Sequence, residues 1–523
     1  MFLAVHSYDD ASGHKSLSIG QIVLALSFAI LWAGVTALPA KNVVHYSDLS
    51  PDRQAAIRAK ISVPPLSARD APYSTPMYYL MHQGFTDGDR QQLRLQRNRP
   101  DWQEALLRDW SEMGLTATHF LVTPSHFTDP HQTQALQDYL DLSGKYGMKV
   151  GLRLSGDEAL GALEGNGWKL HPGNPDNRLE DYLDWVGSVA TFFCERAVYY
   201  IVGDELSPMA WEERDAEGKT VRKTEADPAR QWDPQTYLQV FSRIAETIHK
   251  RDPEVPVSMF ASNGLRPDYV IGLLDAGYGD HTGAFAANLI HSRVSPSKLH
   301  NFMQMLQGRV RNCQLVSSGV GYVAACDTVH YPVNHGEKPV LGDVAQAVEV
   351  ARMMFTCFDA GMDYAPYYIN VRQWVLPDGS TAPHWYGFFG FTDLCVDDYG
   401  HLTVKRYPAW YAFQTIAHIF YSRSVTQPAP ITLRLGQPVD FLRVYVRNDY
   451  ELLIVLWNDA DEPRNVSLTL PGRKFAYPVQ VNLFNYHLAH DVPYLLTEKD
   501  KLLIPQIQVG RAPVILRLVA EPW

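Results

Sequence analysis

The sequence predicts an α/β protein, a (β/α)8 TIM barrel followed by a small all-β sandwich domain. Three observations carry that reading. After residue 75, short apolar strands alternate with amphipathic helices, the pattern of βαβ units around a parallel sheet. Eight such strand–helix pairs fit into roughly 350 residues, as a barrel with long loops requires. From residue 424 the helical period vanishes, and strands follow one another through turn residues. An open doubly wound sheet is the alternative, but it does not need eight units, and no GxGxxG follows the first strand.

The elements follow in order. Ile22–Ala37 is an apolar run behind a polar segment whose nearest cation is Lys15. So short a run, followed by small residues, reads as a signal peptide within residues 1–40, cleaved after Ala37 or Ala40. An uncleaved N-terminal membrane anchor is the second reading, because Asp9 and Asp10 precede the run with little positive charge. Either places the body outside: secreted, periplasmic or on the outer face of a membrane. Residues 41–75 read as a leader, 76–423 as the barrel and 424–523 as the sandwich.

Strand one is Met77–Met81, and the next helix spaces Trp102, Leu106, Trp110 and Met113 by three or four residues. Strand two is Ala117–Val122, then a helix from Gln132 to Tyr146 leads to strand three, Lys149–Leu154. Leu179, Leu183, Val186, Ala190 and Phe193 share one helical face ahead of strand four, which begins at Tyr199. Asp233-Pro234 supplies an N-cap and a first-turn proline for a helix carrying Leu238, Phe241, Ala245 and Ile248. Strand five is Val257–Phe260, and strand six, Gly283–Ile290, follows a helix over Pro267–Ala276. Strand seven, Cys313–Ser318, follows a helix over Ser297–Leu306. Asp343 with Gln346 has the spacing of a capping box for a helix through Phe355, and strand eight is Tyr364–Ile369. Pro408 opens a last helix over Ala409–Phe420. Beyond it, Phe441–Val446, Leu452–Trp457, Val466–Leu470, Val479–Leu483 and Val514–Leu518 read as strands of a sandwich of about 100 residues. The charged stretch Glu212–Arg230, in the loop after strand four, reads as a solvated flexible insertion.

Composition narrows the function classes. A net charge of −11 disfavours nucleic acid as a partner. The 12 tryptophans and 28 tyrosines suit sugar-stacking surfaces, although a large core uses the same residues. Cys194, Cys313, Cys326, Cys357 and Cys395 are odd in number and widely spaced, which argues against a disulfide framework and leaves room for one or two bridges. No CxxC, HExxH or GxSxG motif calls for zinc or serine chemistry, so no metal and no cofactor is expected, and a hydrolase or lyase of another class ranks last. Asn465-Val466-Ser467 is a glycosylation sequon that matters only in a eukaryotic secretory pathway.

The segment richest in chemistry is Tyr199-Tyr200-Ile201-Val202-Gly203-Asp204-Glu205-Leu206, an apolar strand that stops at two acidic residues. Barrel active sites sit at the C-terminal ends of the strands, so Glu205 is a candidate general acid for breaking a glycosidic bond. Asp204 and Glu205 could equally cap the next helix or pair with a rim arginine such as Arg153. Other polar residues at strand ends fit a sugar site: His82 and Gln83, His126, Arg153, Asn263, His291, and the group Tyr368, Asn370, Arg372 and Trp374.

With these residues the chain resembles the clan A glycoside hydrolases, retaining (β/α)8 barrels of which many carry a C-terminal β-sandwich. The resemblance covers residues 75–523 as architecture. In that family strand four ends in Asn-Glu, so the resemblance implies Glu205 as the acid/base. Asp204 stands where the family has an asparagine that donates to the sugar 2-hydroxyl, whereas an ionised Asp can only accept. Trp374 matches the family's sugar platform near the end of strand eight. The chain departs from the family at strand seven, where Gly319 of Leu315-Val316-Ser317-Ser318-Gly319-Val320-Gly321-Tyr322 stands in place of the nucleophilic glutamate. Glu337, in the loop after strand seven, and Asp363, just before strand eight, are the candidate substitutes. Carboxyl groups about 6.5–9.5 Å apart invert and those about 5–5.5 Å apart retain. The expected ligand is an oligo- or polysaccharide. A non-catalytic glycan-binding protein on a degenerate barrel is the alternative.

Overall fold

The computed structural model describes residues 50–52, 73–76, 100–154, 170, 172, 177–203, 211–214, 220–223, 233–260, 262–263, 265–290, 296–310, 314–321, 342–362, 364–367, 372–375, 381–383, 390–397, 399, 401–420, 426–429, 431, 433–447, 451–460, 462–471, 475–496 and 501–520.

Eight strands alternate with helices in the first part of the chain. The strands are β1 Tyr73–Pro76, β2 Ala117–Val122, β3 Lys149–Leu154, β4 Ala197–Val202, β5 Val257–Ser258, β6 Ala284–Ile290, β7 Gln314–Gly321 and β8 Ala365–Pro366. All pair in parallel, in the order β7-β6-β5-β4-β3-β2-β1-β8, and Ser262–Asn263 adds a short pairing to β6. The sheet curls until its ends approach: β1 pairs with both β2 and β8, and the Tyr364 N–H donates to the Leu315 carbonyl of β7 at 3.4 Å.

The helices are α1 Pro100–Met113, α2 Pro130–Lys145, α3 Leu179–Phe193, α4 Pro234–His249, α5 Pro267–Asp275, α6 Pro296–Gln307, α7 Asp343–Asp359 and α8 Pro408–Ile419. Their apolar faces and the outward residues of the strands make one core. Trp102, Leu106, Trp110 and Met113 of α1 join Val150, Leu152 and Leu154 of β3 and Tyr200 and Val202 of β4 in it. The α4 terminus forms as its sequence predicts: Asp233 accepts from the Gln235 and Thr236 N–H groups, and Pro234 occupies the first turn.

Several elements differ from the sequence reading. β1 begins at Tyr73, inside the segment read as a leader, while residues 77–81 lie outside the described set. β7 runs three residues past the predicted Ser318, through a bulge between Ser317 and Gly319. The charged insertion is not featureless, because Trp211–Arg214 and Thr220–Lys223 pair as an antiparallel hairpin. The Asp343/Gln346 capping box does not form. Gly342 is the N-cap, at φ +75°, and both side chains bind Arg372 instead. The spacing matched because a first-turn acid is also useful for holding a cation.

The rest of the chain is antiparallel. Its strands are β9 Thr426–Pro428, β10 Arg434–Leu435, β11 Phe441–Arg447, β12 Glu451–Trp457, β13 Arg464–Leu470, β14 Phe475–Asn482, β15 Asn485–Asp491, β16 Leu495–Leu496, β17 Leu502–Val509 and β18 Val514–Ala520. They form a six-stranded sheet, β9-β11-β12-β18-β14-β15, and a four-stranded one, β10-β13-β17-β16. The two sheets share a core of Ile454, Leu456, Leu468, Ile504, Leu516 and Leu518. β12 is buried along its whole length because its other face, Leu453, Val455 and Trp457, joins the core of the α/β part. Its unbroken apolar run reflects this double burial.

Candidate functional site

Alternation decides what lies inside the curled sheet. Val150, Leu152 and Leu154 point outward from β3, as do Tyr200 and Val202 from β4, so Gly151, Arg153, Tyr199 and Ile201 face inward. Tyr199, Ile201 and Ala286 form their own small cluster there, with Tyr364 against it. Arg153 and Ile201 are register partners and share one inward row.

Tyr199 reaches across the interior. Its hydroxyl hydrogen-bonds His119 Nδ1 of β2 at 2.8 Å, and its ring lies 5.0 Å from that of Tyr364 beside β8. On the way it passes over Gly151, where a Cβ would stand 2.2 Å from Tyr199 Cζ. Only glycine leaves room for the ring. His119 is buried, and burial together with the neighbouring Arg153 guanidinium holds its pKa well below the usual histidine value. The imidazole is therefore neutral, and Arg153, 5% exposed, brings positive charge to this interior. A carboxylate close to Arg153 would be held in its ionised form.

Two tyrosines clamp the strand ends. The Tyr237 hydroxyl of α4 donates to the Val202 carbonyl at 3.2 Å and accepts from the Phe260 N–H at 2.9 Å, tying the end of β4 to the segment after β5. Tyr278 repeats the device, donating to the Ala284 carbonyl at 2.5 Å and accepting from the Met259 N–H at 2.7 Å. Beyond Val202 the chain turns at Gly203, at φ +88°, a conformation that glycine adopts without strain.

The predicted site residues fall into three groups. Glu205, Asp204, Glu337, Asp363, His82, Gln83, His291, Tyr368 and Asn370 lie outside the described residues. Asn263 and Trp374 are placed by backbone only: Asn263 pairs with Asn288 of β6, and Trp374 with Ala382 in a hairpin of Gln373–Val375 and Thr381–Pro383. The remaining three are fully placed. Arg153 is buried, one residue before the end of β3. His126 closes its own turn. Its Nδ1 accepts from the Thr123 N–H at 3.1 Å, which leaves the proton of the neutral ring on Nε2. Arg372 is committed to structure. It donates to Asp343 at 2.7 Å, to Gln346 at 3.3 Å and to the Gly390 carbonyl at 2.9 Å, and it stacks 3.5 Å over Tyr407.

Sequence reasoning missed His119, Tyr199, Tyr237 and Tyr278. For Tyr199 a signal existed, because it shares inward parity with Ile201. The pairing of Gly151 with Tyr199 becomes legible only once strands three and four are in register. β7 carries neither Asp nor Glu along its eight residues. Cys194, Cys357 and Cys395 are free thiols, while Cys313 and Cys326 lie outside the described residues.

No protein-family model matches this chain, and no curated protein is similar to it in sequence. Solved structures do resemble it. One is a family 39 glycoside hydrolase from Bacteroides cellulosilyticus WH2, 12% identical, with a TM-score of 0.55 over 88% of this chain and 83% of that one. Another is a conserved exported protein from Bacteroides fragilis, 9% identical, with a TM-score of 0.52 over 86% of this chain and 99% of that one. The chain is thus a mixed α/β protein with a glycoside-hydrolase-like fold.

Proposed function

We propose that this protein is an exported glycoside hydrolase acting on an oligo- or polysaccharide, with Glu205 as general acid/base. In this reading the curled sheet is a (β/α)8 barrel that starts at Tyr73, three residues before the sequence-based bound of 76, and runs to 423, and the antiparallel sheets are a sandwich over 424–523. Residues 1–40 are a signal peptide that is cleaved, or an N-terminal membrane anchor that is retained. The observation that carries the reading is β4. It ends at Val202, in a fold shared with a glycoside hydrolase, with Tyr199 and Ile201 facing inward and Glu205 three residues further along the sequence. Protonated, Glu205 would donate to the glycosidic oxygen; its base form would then take a proton from water. Glu337 and Asp363 are the candidates for the second carboxylate, as nucleophile or as water activator. His82, His126, Asn263, His291, Tyr368, Asn370 and Trp374 are proposed sugar contacts; the Nδ1 of His126 is already used within its own turn.

One observation favours a second reading, a glycan-binding protein without catalysis: the absence of any carboxylate from β7. Reducing-end release from a polysaccharide panel, compared with Glu205→Gln, separates the two. Release that disappears in the variant is the expected result. Equal release by both proteins would remove Glu205 from the mechanism, and binding without release would establish the second reading.

A further inference from the structure

Thr392–Val396 and Leu402–Arg406 form an antiparallel hairpin that the proposed site does not use. Its base is locked to the α/β part. Arg406 donates to Asp109 at 2.6 Å and lies 3.9 Å over the Trp410 ring, and the Arg372 N–H donates to the Thr392 carbonyl at 2.8 Å. Toward the tip, Asp397, Tyr399 and His401 are joined by hydrogen bonds. Asp397 Oδ1 accepts from the Tyr399 N–H at 2.9 Å and from the His401 N–H at 2.8 Å, while the Asp397 N–H donates to the His401 carbonyl at 2.9 Å.

On this frame Tyr399 is 86% exposed, whereas the other exposed large apolar side chains among the described residues lie between 38% and 58%. A ring so open contributes nothing to packing. The His401 ring lies 6.3 Å away, tilted by 31°, and Asp397 Oδ2 is 3.4 Å from His401 Nδ1. An aromatic face, an imidazole and a carboxylate kept ionised by two N–H bonds therefore stand side by side. A pyranose needs these groups: a ring face for its apolar C–H side, and acceptors for the hydroxyls around its edge. Size also selects the occupant. A stable protein partner buries about 800 Å² on each side, far more than one turn offers, whereas one or two sugar rings match it.

We propose that this tip is an auxiliary site for the sugar units of a polysaccharide chain, an occupant that rests on the glycoside-hydrolase reading. Such a site binds weakly alone. It works by holding one part of a long chain while another part reaches the barrel, which raises the local substrate concentration.

The test is affinity electrophoresis of the full chain carrying Glu205→Gln, which cannot trim the probe if the proposed acid is right. The native gels contain xylan, mixed-linkage β-glucan or starch. At least one polysaccharide should retard the protein, and adding Tyr399→Ala should remove about half of that retardation or more. His401→Ala should remove less, and melting temperatures should stay unchanged because the tip is exposed. No retardation in any gel, or equal retardation with Tyr399→Ala, overturns the proposal. So does a wild-type dimer that Tyr399→Ala converts to monomer in sedimentation, because the tip would then serve a second copy. A wild type that hydrolyses nothing, yet is held through Tyr399, would end the catalytic reading and leave the tip site standing.

Discussion

Gly151 and Tyr199 occupy one volume between them, and this makes a sharp test of the interior. Gly151→Ala forces a methyl into the tyrosine ring, so it should cost about 1–3 kcal/mol of unfolding free energy in urea titrations. In a Tyr199→Leu background the same change should cost less than about half as much, because the clash is gone and contacting sites do not add. His119 gives a pH dependence of known sign. Its folded pKa lies below the 6.5 of a free histidine, so below that pH the unfolded chain takes up a proton that the folded chain refuses. The stability it confers is complete above 6.5 and is lost as the pH falls. The stability gap between wild type and His119→Asn should therefore shrink by about 1.4 kcal/mol per pH unit below that point, read from unfolding between about pH 7 and 5. A gap that does not change with pH would mean that the ring takes up its proton in the fold as readily as in the unfolded chain. Tyr237→Phe removes the donor to Val202 and the acceptor for Phe260, both buried, and should cost about 1–3 kcal/mol. If Glu205 is the acid, the same variant should lower kcat more than it raises KM, since the clamp holds the strand end and not the sugar.

At the scale of elements, the junction between the two parts depends on β11, β12 and β18. Glu451, fully buried on β12, accepts from Arg447 of β11 and from Arg517 of β18, each at 2.5 Å, and Arg447 also donates to the Ile419 carbonyl at the end of α8. One carboxylate thus satisfies two buried guanidinium groups across three strands. Glu451→Ala should destabilise the protein by about 3–5 kcal/mol, because it leaves buried positive charge uncompensated. A cost below about 1 kcal/mol in a chemical-denaturation series would show that water reaches the site and relieves it. Helix α7 shows the opposite economy of polar groups. It leaves its N-terminus to glycine and uses Asp343 and Gln346 to hold Arg372 against its first turn.

For the whole molecule, the antiparallel sheets are built into the α/β part and are not an appendage. Phe355 and Phe358 of α7 and Phe420 after α8 pack on Trp457 and Tyr445 of the six-stranded sheet. Arg511–Glu349 at 2.8 Å and Arg443–Asp359 at 2.6 Å flank that contact. So much shared apolar surface should make unfolding a single calorimetric transition. Trp457→Ala should lower that one transition, at a cost of about 3–5 kcal/mol, without splitting it into two. Two resolved transitions in the wild type would show that the sheets fold as an independent module.

How much of this was legible depended on the range of the forces involved. β2 and β3 begin and end where the sequence places them, and α3 buries the face the sequence assigns it, because periodicity and turn residues are local signals. The Asp233-Pro234 start of α4 is likewise written into neighbouring residues. The change from alternating elements to consecutive strands after residue 424 needs no partner to be read. What only the tertiary structure decided depends on groups far apart in the chain: the Gly151–Tyr199–His119 contact, the Tyr237 and Tyr278 clamps, the burial of Arg153, and Asp343 as an arginine ligand. Each is a matter of which backbone comes within a few ångströms of which side chain. That is set by strand register and by the closing of the sheet, and single-chain periodicity carries no record of either.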